Sequence, residues 1–347
     1  MAPMRILHVM AGSKAGGAET AFAELCAAQK RAGMDVYAAC RPSRRNMDLS
    51  DAGVPVTELP FGGLFDFKTK RNLSHLIRQV RPEVVVTWMN RAAKKLPKKV
   101  PGVAFTWVPR LGGYYNLKYY EGAQYIVVNA PDIARWMEEH GTPANAITFI
   151  PNFAEMDAGA IPVPRASLDT PEDAFVFVTL ARLHSNKGID TLLSAFADVP
   201  NAYLWIAGDG PESSALKRQA LDLNLMDRVR FLGWRDDRWS LLAAADAVVF
   251  PSRHEPFGNS FMQAWAAGKA LVTTASQGPS YYVQNEKDAL VVPIDDIFSL
   301  SAAMKRVQND PNLREALANA GQTRYSQAFD KQAILDQWTQ LFDRVRP

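Results

Sequence analysis

The stretch that most constrains this chain runs from Ala245 to Thr274 and reads ADAVVFPSRHEPFGNSFMQAWAAGKALVTT. An apolar strand ends at Pro251 and Ser252, and a short loop carries His254, Glu255, Pro256, Phe257 and Gly258. A helix is expected to open at Asn259 or Ser260 and to stop at Gly268, before a second buried strand. Two apolar strands joined through a helix belong to a parallel sheet covered on both faces, because parallel neighbours need a crossover. A helix N-terminus just past such a strand directs free N–H groups and the positive end of its dipole at one spot, which suits phosphate. Here the loop also brings a carboxylate and a glycine to that spot.

The same alternation runs through the chain. Ile6–Met10, Val36–Cys40, Val84–Trp88, Ala104–Val108 and Tyr125–Val128 read as strands, with helices over Ala18–Arg31, Lys70–Gln79 and Pro131–His140. Asp157–Asp173 holds Pro162, Pro164 and Pro171 without periodicity and reads as a linker. The pattern then restarts with strands Phe175–Leu180, Tyr203–Ala207 and Val229–Leu232 and helices Ile189–Phe196, Ser213–Leu223 and Leu241–Ala245. In Lys331–Val345, the residues Ile334, Leu335, Trp338, Leu341 and Phe342 share one face, as in a packing helix. The expected architecture is α/β, with two Rossmann-like parallel-sheet domains, 1–160 and 161–330, facing a ligand between them and a terminal helix over 331–347.

A length of 347 residues is comfortable for two cores, and 48% hydrophobic with 22% charged residues is ordinary for a globular chain. The net charge of +3 is unevenly spread: residues 1–160 hold 20 Lys/Arg against 14 Asp/Glu, and the remainder hold 19 against 22. The basic half hints at an acidic partner or an anionic membrane. Cys26 and Cys40 have no metal-like spacing and read as buried thiols. The absence of a visible leader or apolar span predicts a cytoplasmic protein, resting at most peripherally on the inner face of a membrane. No His/Cys/Asp/Glu cluster has ligand spacing and no DxD-type pair is present, so no metal or other cofactor is expected. The loop with Gly12, Gly16 and Gly17 is not GxGxxG, which argues against a nicotinamide dinucleotide, and no nucleic-acid module is recognisable.

Past the strand ending at Leu180 stand Arg182 and Lys187, two cations before a helix start, able to reach one anionic group. By themselves they are equally a solvated loop. Ala207-Gly208-Asp209-Gly210-Pro211-Glu212 is a glycine turn that needs no ligand to explain it.

EPFGNSFMQAWAAG resembles the E-P-F-G-x4-E-A-(x)-A-x-G signature of family 4 glycosyltransferases, retaining enzymes of the GT-B fold; Glu255 matches the first glutamate and Gln263 stands at the second. Ala181-Arg182-Leu183 with Lys187-Gly188 is similar to the family's G/A-R-L-x(3)-K-G, whose cations hold the donor diphosphate. Gly208 falls in its A-G-D-G-P-E element, and Trp234 follows Phe231-Leu232-Gly233 where the family places the nucleotide base. Gly16-Gly17-Ala18-Glu19 matches the G-G-A-E loop, and Ser276–Ser280 is similar to a loop on the other side, with Tyr281 about where the family has a glutamate. The resemblance is strong over about 174–295 and diffuse before it.

The resemblance implies catalytic roles for Glu255, Arg182 and Lys187. It implies donor contacts from Gly16, Gly17, Arg182, Lys187, Gly208, Trp234, Glu255, Phe257, Gly258, Asn259, Ser260 and Gln263. It also implies a UDP- or GDP-type sugar donor held by the C-terminal domain, an acceptor on the N-terminal one, and a terminal helix that crosses back to the N-terminal domain. The acceptor class it implies is a glycan or lipid-linked precursor of a cell-envelope polysaccharide, such as lipopolysaccharide core. Two other uses of the frame stay open: a sugar-nucleotide binder without transfer, suggested by Gln263 and Tyr281, and another GT-B enzyme such as an epimerase. Gln263 keeps an acceptor oxygen in place of the glutamate's.

Lys94, Lys95, Lys98 and Lys99 precede Phe105, Trp107, Arg110, Tyr114, Tyr115, Lys118, Tyr119 and Tyr120. This segment reads as a surface for anionic lipid, as a platform for sugar rings, or as a solvated turn followed by packing residues. Asn90-Arg91 and Arg110-Leu111-Gly112-Gly113 end or follow strands and are acceptor-contact candidates by position alone.

Overall fold

The computed structural model describes residues 4–12, 16–43, 45–63, 66–157 and 159–346. Residues 13–15 of the first glycine loop and residue 158 of the expected linker lie outside the described residues. Seven strands, β1 (Arg5–Met10), β2 (Asp35–Cys40), β3 (Val56–Glu58), β4 (Val84–Trp88), β5 (Thr106–Leu111), β6 (Ile126–Val128) and β7 (Ile147–Phe149), form one sheet in the order β3-β2-β1-β4-β5-β6-β7. Six more, β8 (Phe175–Leu180), β9 (Ala202–Ala207), β10 (Val229–Gly233), β11 (Ala247–Phe250), β12 (Ala270–Thr274) and β13 (Leu290–Val292), form a second in the order β10-β9-β8-β11-β12-β13. Every pairing between these strands is parallel. Each sheet therefore winds outward from its first strand in one direction and resumes on the other side with its fourth, the doubly wound order.

The departures from expectation have local causes. Val56–Glu58, Ile147–Phe149 and Leu290–Val292 are three-residue strands, too short to show a period. β5 continues to Leu111, so Arg110 belongs to the strand rather than to the loop after it. The helix Pro311–Ala328 buries only Leu317 and Gly321 fully and so has no apolar stripe to read; Asp310 caps it, accepting from the N–H of Leu313 at 3.0 Å. Residues 276–280, expected as a loop, lie largely in a short helix, Gln277–Tyr282.

The chain separates into two units, Met1–Phe153 with Lys331–Pro347, and Ala154–Asp330. The division falls a little before residue 160 because Phe153 is buried in the first core, whereas the carbonyl of Ala154 accepts from the Tyr325 hydroxyl at 2.7 Å. In the first unit, Ile334, Leu335, Trp338, Leu341, Phe342 and Val345 of helix Lys331–Val345 join Phe22, Leu25, Val84, Val86, Trp88 and Val108 in one cluster. Each such side chain contributes about 1.5–3 kcal/mol on burial. In the second unit, Phe177, Leu192, Phe196, Leu204, Val249 and Val272 are among the residues that fill the core. Both cysteines are buried and free, and burial pushes the Cys40 thiol up to about 12. Among the described residues no helix is long and apolar enough to cross a membrane.

β1 carries a buried histidine. Trp88 Nε1 donates to His8 Nδ1 at 3.1 Å, so the ring proton sits on Nε2, which meets Gln29 Oε1 at 2.9 Å. Burial lowers the His8 pKa from 6.5 to about 4, against the opposing pull of the Gln29 hydrogen bond. Above pH 6.5 neither the folded nor the unfolded chain protonates this ring; between 6.5 and about 4 only the unfolded chain does. Stability therefore falls as pH falls through that window, by on the order of 3 kcal/mol. Urea denaturation from pH 7 to 4.5 should show this slope, and His8→Asn should reduce it by about one proton. Parallel slopes in the two proteins would mean that His8 is not held neutral.

Candidate functional site

The second sheet reverses its winding between β8 and β11, which pair directly. Loops leaving the carboxyl ends of neighbouring strands on either side of such a reversal diverge to opposite faces and leave a crevice between them. Residues 181–188 follow β8 and residues 251–258 follow β11, so the sheet brings together Arg182, Lys187 and Glu255 from distant sequence.

These loops are joined by explicit contacts. Lys187 Nζ donates to the Glu255 carboxylate, and both side chains are about four-fifths buried. The N–H groups of Arg253 and His254 donate to the carbonyl of Asn186 at 2.8 and 3.3 Å. The Arg253 guanidinium donates to both oxygens of Asp190 (2.8 and 2.7 Å), both of Asp295 (2.7 and 2.9 Å), the Ser185 carbonyl (2.6 Å) and Thr191 Oγ1 (2.9 Å). Burial raises the Asp190 pKa, but the hydrogen bonds and charge of Arg253 outweigh it and hold the carboxyl below its ordinary value. Arg253 thus clamps the cationic loop to the carboxylate loop. A third element adds to this: Gln277 Oε1 accepts from the N–H of Glu255 at 3.1 Å, and the N–H of Gly278 donates to the carbonyl of Glu255 at 2.7 Å.

Both helices that leave the crevice begin behind a left-handed glycine. Gly188 (φ +62°) precedes Ile189–Phe196, and Gly258 (φ +98°) precedes Asn259–Ala266. A Cβ at Gly188 would collide with the Pro251 carbonyl, so the close approach of the two loops requires it. Neither glycine has a side chain to spend on the first-turn N–H groups, which leaves two helix N-termini beside Lys187 and Glu255 in the chain. Asn259 and Gln263, one turn apart, share a helix face, and Gln263 is 7% exposed. Arg182 is exposed and makes no ion pair among the described residues.

The chain is 38% identical over 344 residues, 98% of its length and 98% of the relative's, to the lipopolysaccharide core biosynthesis glycosyltransferase LpsD of Rhizobium meliloti. The glycosyltransferase group 1 model matches residues 162–324 and the glycosyltransferase family 4 model residues 15–158. This chain belongs to the family 4 glycosyltransferases. The transferase is also 35% identical over 341 residues, 97% of its length and 98% of the relative's, to LpsE of the same organism, another lipopolysaccharide core biosynthesis glycosyltransferase. Its fold matches Anabaena HepE in complex with UDP and glucose at a TM-score of 0.83, with 21% identity, over 98% of this chain and 100% of that one. It is the GT-B fold, two Rossmann-like parallel-sheet domains.

The other sequence candidates divide between scaffold and surface. A Cβ at Gly208 (φ +155°) would overlap the Ala181 carbonyl, and the N–H of Gly208 donates to Gly233 O at 2.7 Å. This glycine lets the loop after β9 lie against the loop after β8. The Phe257 side chain is buried among Phe261, Tyr282 and Phe329 and packs the core behind the loop. Ser260 Oγ donates to the Leu180 carbonyl at 2.7 Å and ties its helix to β8. Trp234, 39% exposed, donates from Nε1 to Asp236 at 2.9 Å past the end of β10. Tyr281, 54% exposed, lies on the short helix and not in a loop. In the first unit, the Glu19 carboxylate fills the space beside Gly12 and Gly16, 2.7 Å from where a Gly16 Cβ would stand, and Gly17 opens the helix.

The basic segment is partly internal. Lys95 donates to the carbonyls of Gly63 and Asp66 at 3.1 and 2.7 Å, Trp107 donates to Thr87 at 2.8 Å, and the Tyr120 hydroxyl donates to Asn90 at 2.9 Å. Lys94, Lys98, Lys99 and Lys118 remain exposed. The sequence does not single out Arg253, since an arginine between Ser252 and His254 carries no spacing signal; only β8–β11 pairing reveals its partners.

Two outcomes test this construction without any ligand. Arg253→Met should cost about 1–3 kcal/mol and raise hydrogen–deuterium exchange at 183–188 and 252–256; unchanged exchange there would show that Arg253 does not clamp the loops. Gly208→Ala should cost about 2–4 kcal/mol in the nucleotide-free protein; a neutral effect would mean that loop packing does not explain the glycine.

Proposed function

We propose that this transferase moves a sugar, with retention, from a nucleotide-diphosphate donor to a glycan or lipid-linked acceptor in lipopolysaccharide core assembly. The observation that carries the proposal is the convergence at one sheet reversal of Lys187, Glu255 and the start of helix Asn259–Ala266, with exposed Arg182 on the same loop as Lys187. Support for the pathway comes from LpsD and LpsE, and support for a uridine donor from HepE with UDP and glucose.

In this reading the glycosyl–phosphate bond breaks through an oxocarbenium-like state, and negative charge grows on the leaving diphosphate. Arg182 chelates diphosphate oxygens, Lys187 adds a point charge, and the N–H groups at Asn259 and Ser260 complete the stabilisation. The acceptor hydroxyl attacks on the face the diphosphate leaves, and the diphosphate takes its proton. Glu255, already bound to Lys187, orients sugar hydroxyls and does not act as a nucleophile. Gln263 accepts from the ribose through its carbonyl oxygen. The second unit holds the donor and the first recognises the acceptor. Exposed Lys94, Lys98, Lys99 and Lys118 rest on the anionic cytoplasmic face of the membrane that carries the acceptor.

Calorimetric titration with UDP and GDP, followed by donor-hydrolysis assays, tests the reading. UDP should bind, its sugar conjugate should turn over slowly, and Arg182→Ala and Lys187→Ala should each weaken binding about tenfold or more. Gln263→Glu should strengthen it about fivefold through a charged hydrogen bond. Unchanged affinity in both alanine variants would remove the diphosphate role. Binding without turnover in either wild type or Gln263→Glu, with acceptor extracts supplied, would favour a non-transferring binder.

A further inference from the structure

One side chain beside the crevice is engaged at both ends by the loop that carries Glu255. Gln277 opens the short helix Gln277–Tyr282. Its Oε1 accepts from the N–H of Glu255 at 3.1 Å, and its Nε2 lies 3.1 Å from His254 Nδ1. The first bond settles which way the amide points, because a backbone N–H can only donate. Nε2, which also can only donate, therefore faces His254. Nδ1 accepts, and the proton of the neutral ring sits on Nε2. One amide thus ties the backbone of Glu255 to the tautomer of the residue before it.

The other constraints on Glu255 leave one freedom for this amide to remove. Pro256 follows, and the residue before a proline is restricted to extended backbone. The Glu255 carbonyl accepts from the N–H of Gly278 at 2.7 Å. A Cβ at Gly278 would stand 1.9 Å from the Phe257 carbonyl oxygen, so the loop is pressed onto the short helix on that side. What remains is rotation of the peptide between His254 and Glu255, whose N–H Gln277 holds. That plane sets the direction in which the Glu255 side chain leaves the backbone, and with it the place of the carboxylate that Lys187 meets.

We propose that Gln277 is a positioning residue for Glu255, holding its carboxylate where it orients a sugar hydroxyl, with His254 fixing the amide from the far side. This rests on the glycosyltransferase reading and adds a residue to it. A group that orients a substrate works only when held within about 0.5 Å of the productive place by supporting hydrogen bonds. Gln277 acts on the sugar and not on the nucleotide, because the diphosphate falls to Arg182, Lys187 and the helix start at Asn259. Its loss therefore slows transfer while leaving nucleotide affinity in place.

Three variants separate the two ends of the amide. Gln277→Glu keeps an acceptor for the Glu255 N–H but offers His254 an acceptor in place of a donor. Gln277→Leu removes both bonds, and His254→Gln identifies the signals of that ring among the five histidines. In nitrogen-15 spectra of the nucleotide-free protein, the His254 proton should sit on Nε2 in the wild type, and Nδ1 should gain a proton in Gln277→Glu. Hydrogen exchange at the Glu255 amide should rise about tenfold or more in Gln277→Leu and stay near wild type in Gln277→Glu. Donor hydrolysis is followed with whichever of UDP-glucose and UDP-galactose the wild type turns over faster. Gln277→Leu should lower its turnover about tenfold or more while UDP binds within about twofold of wild type, and Gln277→Glu should restore most of the turnover. An unprotonated Nδ1 in Gln277→Glu, unchanged exchange or turnover in Gln277→Leu, or an equal loss of UDP affinity and turnover there would overturn the proposal. The near-isosteric Gln277→Glu keeps the test open if Gln277→Leu fails to fold. The spectra and the exchange need no nucleotide, so a failure of UDP binding in the wild type, which would sink the transferase reading, stays separate from a failure of the amide to hold Glu255.

Discussion

Both sheets are wholly parallel, and their central strands are covered on both faces. Such strands consist of side chains that cannot meet a ligand; β4, for example, reads VVVTW with every residue buried. Chemistry is therefore confined to the loops and helix starts beyond the strand ends, and the order in which strands pair decides which ends become neighbours. Pairing of β8 with β11 sets Lys187 beside Glu255 across 68 positions of sequence. Without that pairing, Arg182, Lys187 and Glu255 would be unrelated surface charges.

A consequence is that many residues around the crevice serve the approach of backbone to backbone. Gly188 and Gly208 stand where neighbouring carbonyls leave no room for a Cβ, and Gly278 is pressed against the Phe257 carbonyl in the same way. Arg253 meets two carboxylates, a carbonyl and a hydroxyl at once, and its guanidinium is saturated by the protein itself. Arg182 is different: it is exposed and makes no ion pair among the described residues. The Lys187–Glu255 pair compensates both charges, which lowers the cost of holding them partly buried.

The long buried strands are legible in the sequence because runs such as FVFVTL and ALVTT are apolar throughout and bounded by turns. The crevice loops are legible through residue chemistry and through their resemblance to a family signature. The strands Val56–Glu58, Ile147–Phe149 and Leu290–Val292 are not, because three positions cannot establish a period, whereas Ile126–Val128 shows through the apolar run that begins at Tyr125. Helix Pro311–Ala328 escapes for a different reason: its Gly321 packs against Trp265, so a contact that fixes it carries no hydrophobic signal. Gly208 and Ser260 can be named from the sequence as ligand neighbours, but only the folded arrangement shows the backbone crossing and the helix tether they serve. Tyr281 reads as part of a loop because Gly278 and Pro279 look like breakers; Pro is tolerated early in a helix, and here it sits in the first turn.

Two cationic centres in one chain are built on opposite electrostatic principles. Lys187 is partly solvated, paired with a carboxylate and beside helix N-termini, an arrangement suited to a multiply charged diphosphate whose charge changes during a reaction. Arg110 is enclosed, stacked on Trp88 and bonded to a neutral amide, so its charge is fixed and compensated by nothing nearby. His8, held neutral behind Trp88, adds no competing charge to that enclosure. The first unit thus buries a cation against a neutral amide and an aromatic ring, whereas the second pairs its cation with a carboxylate at the sheet reversal.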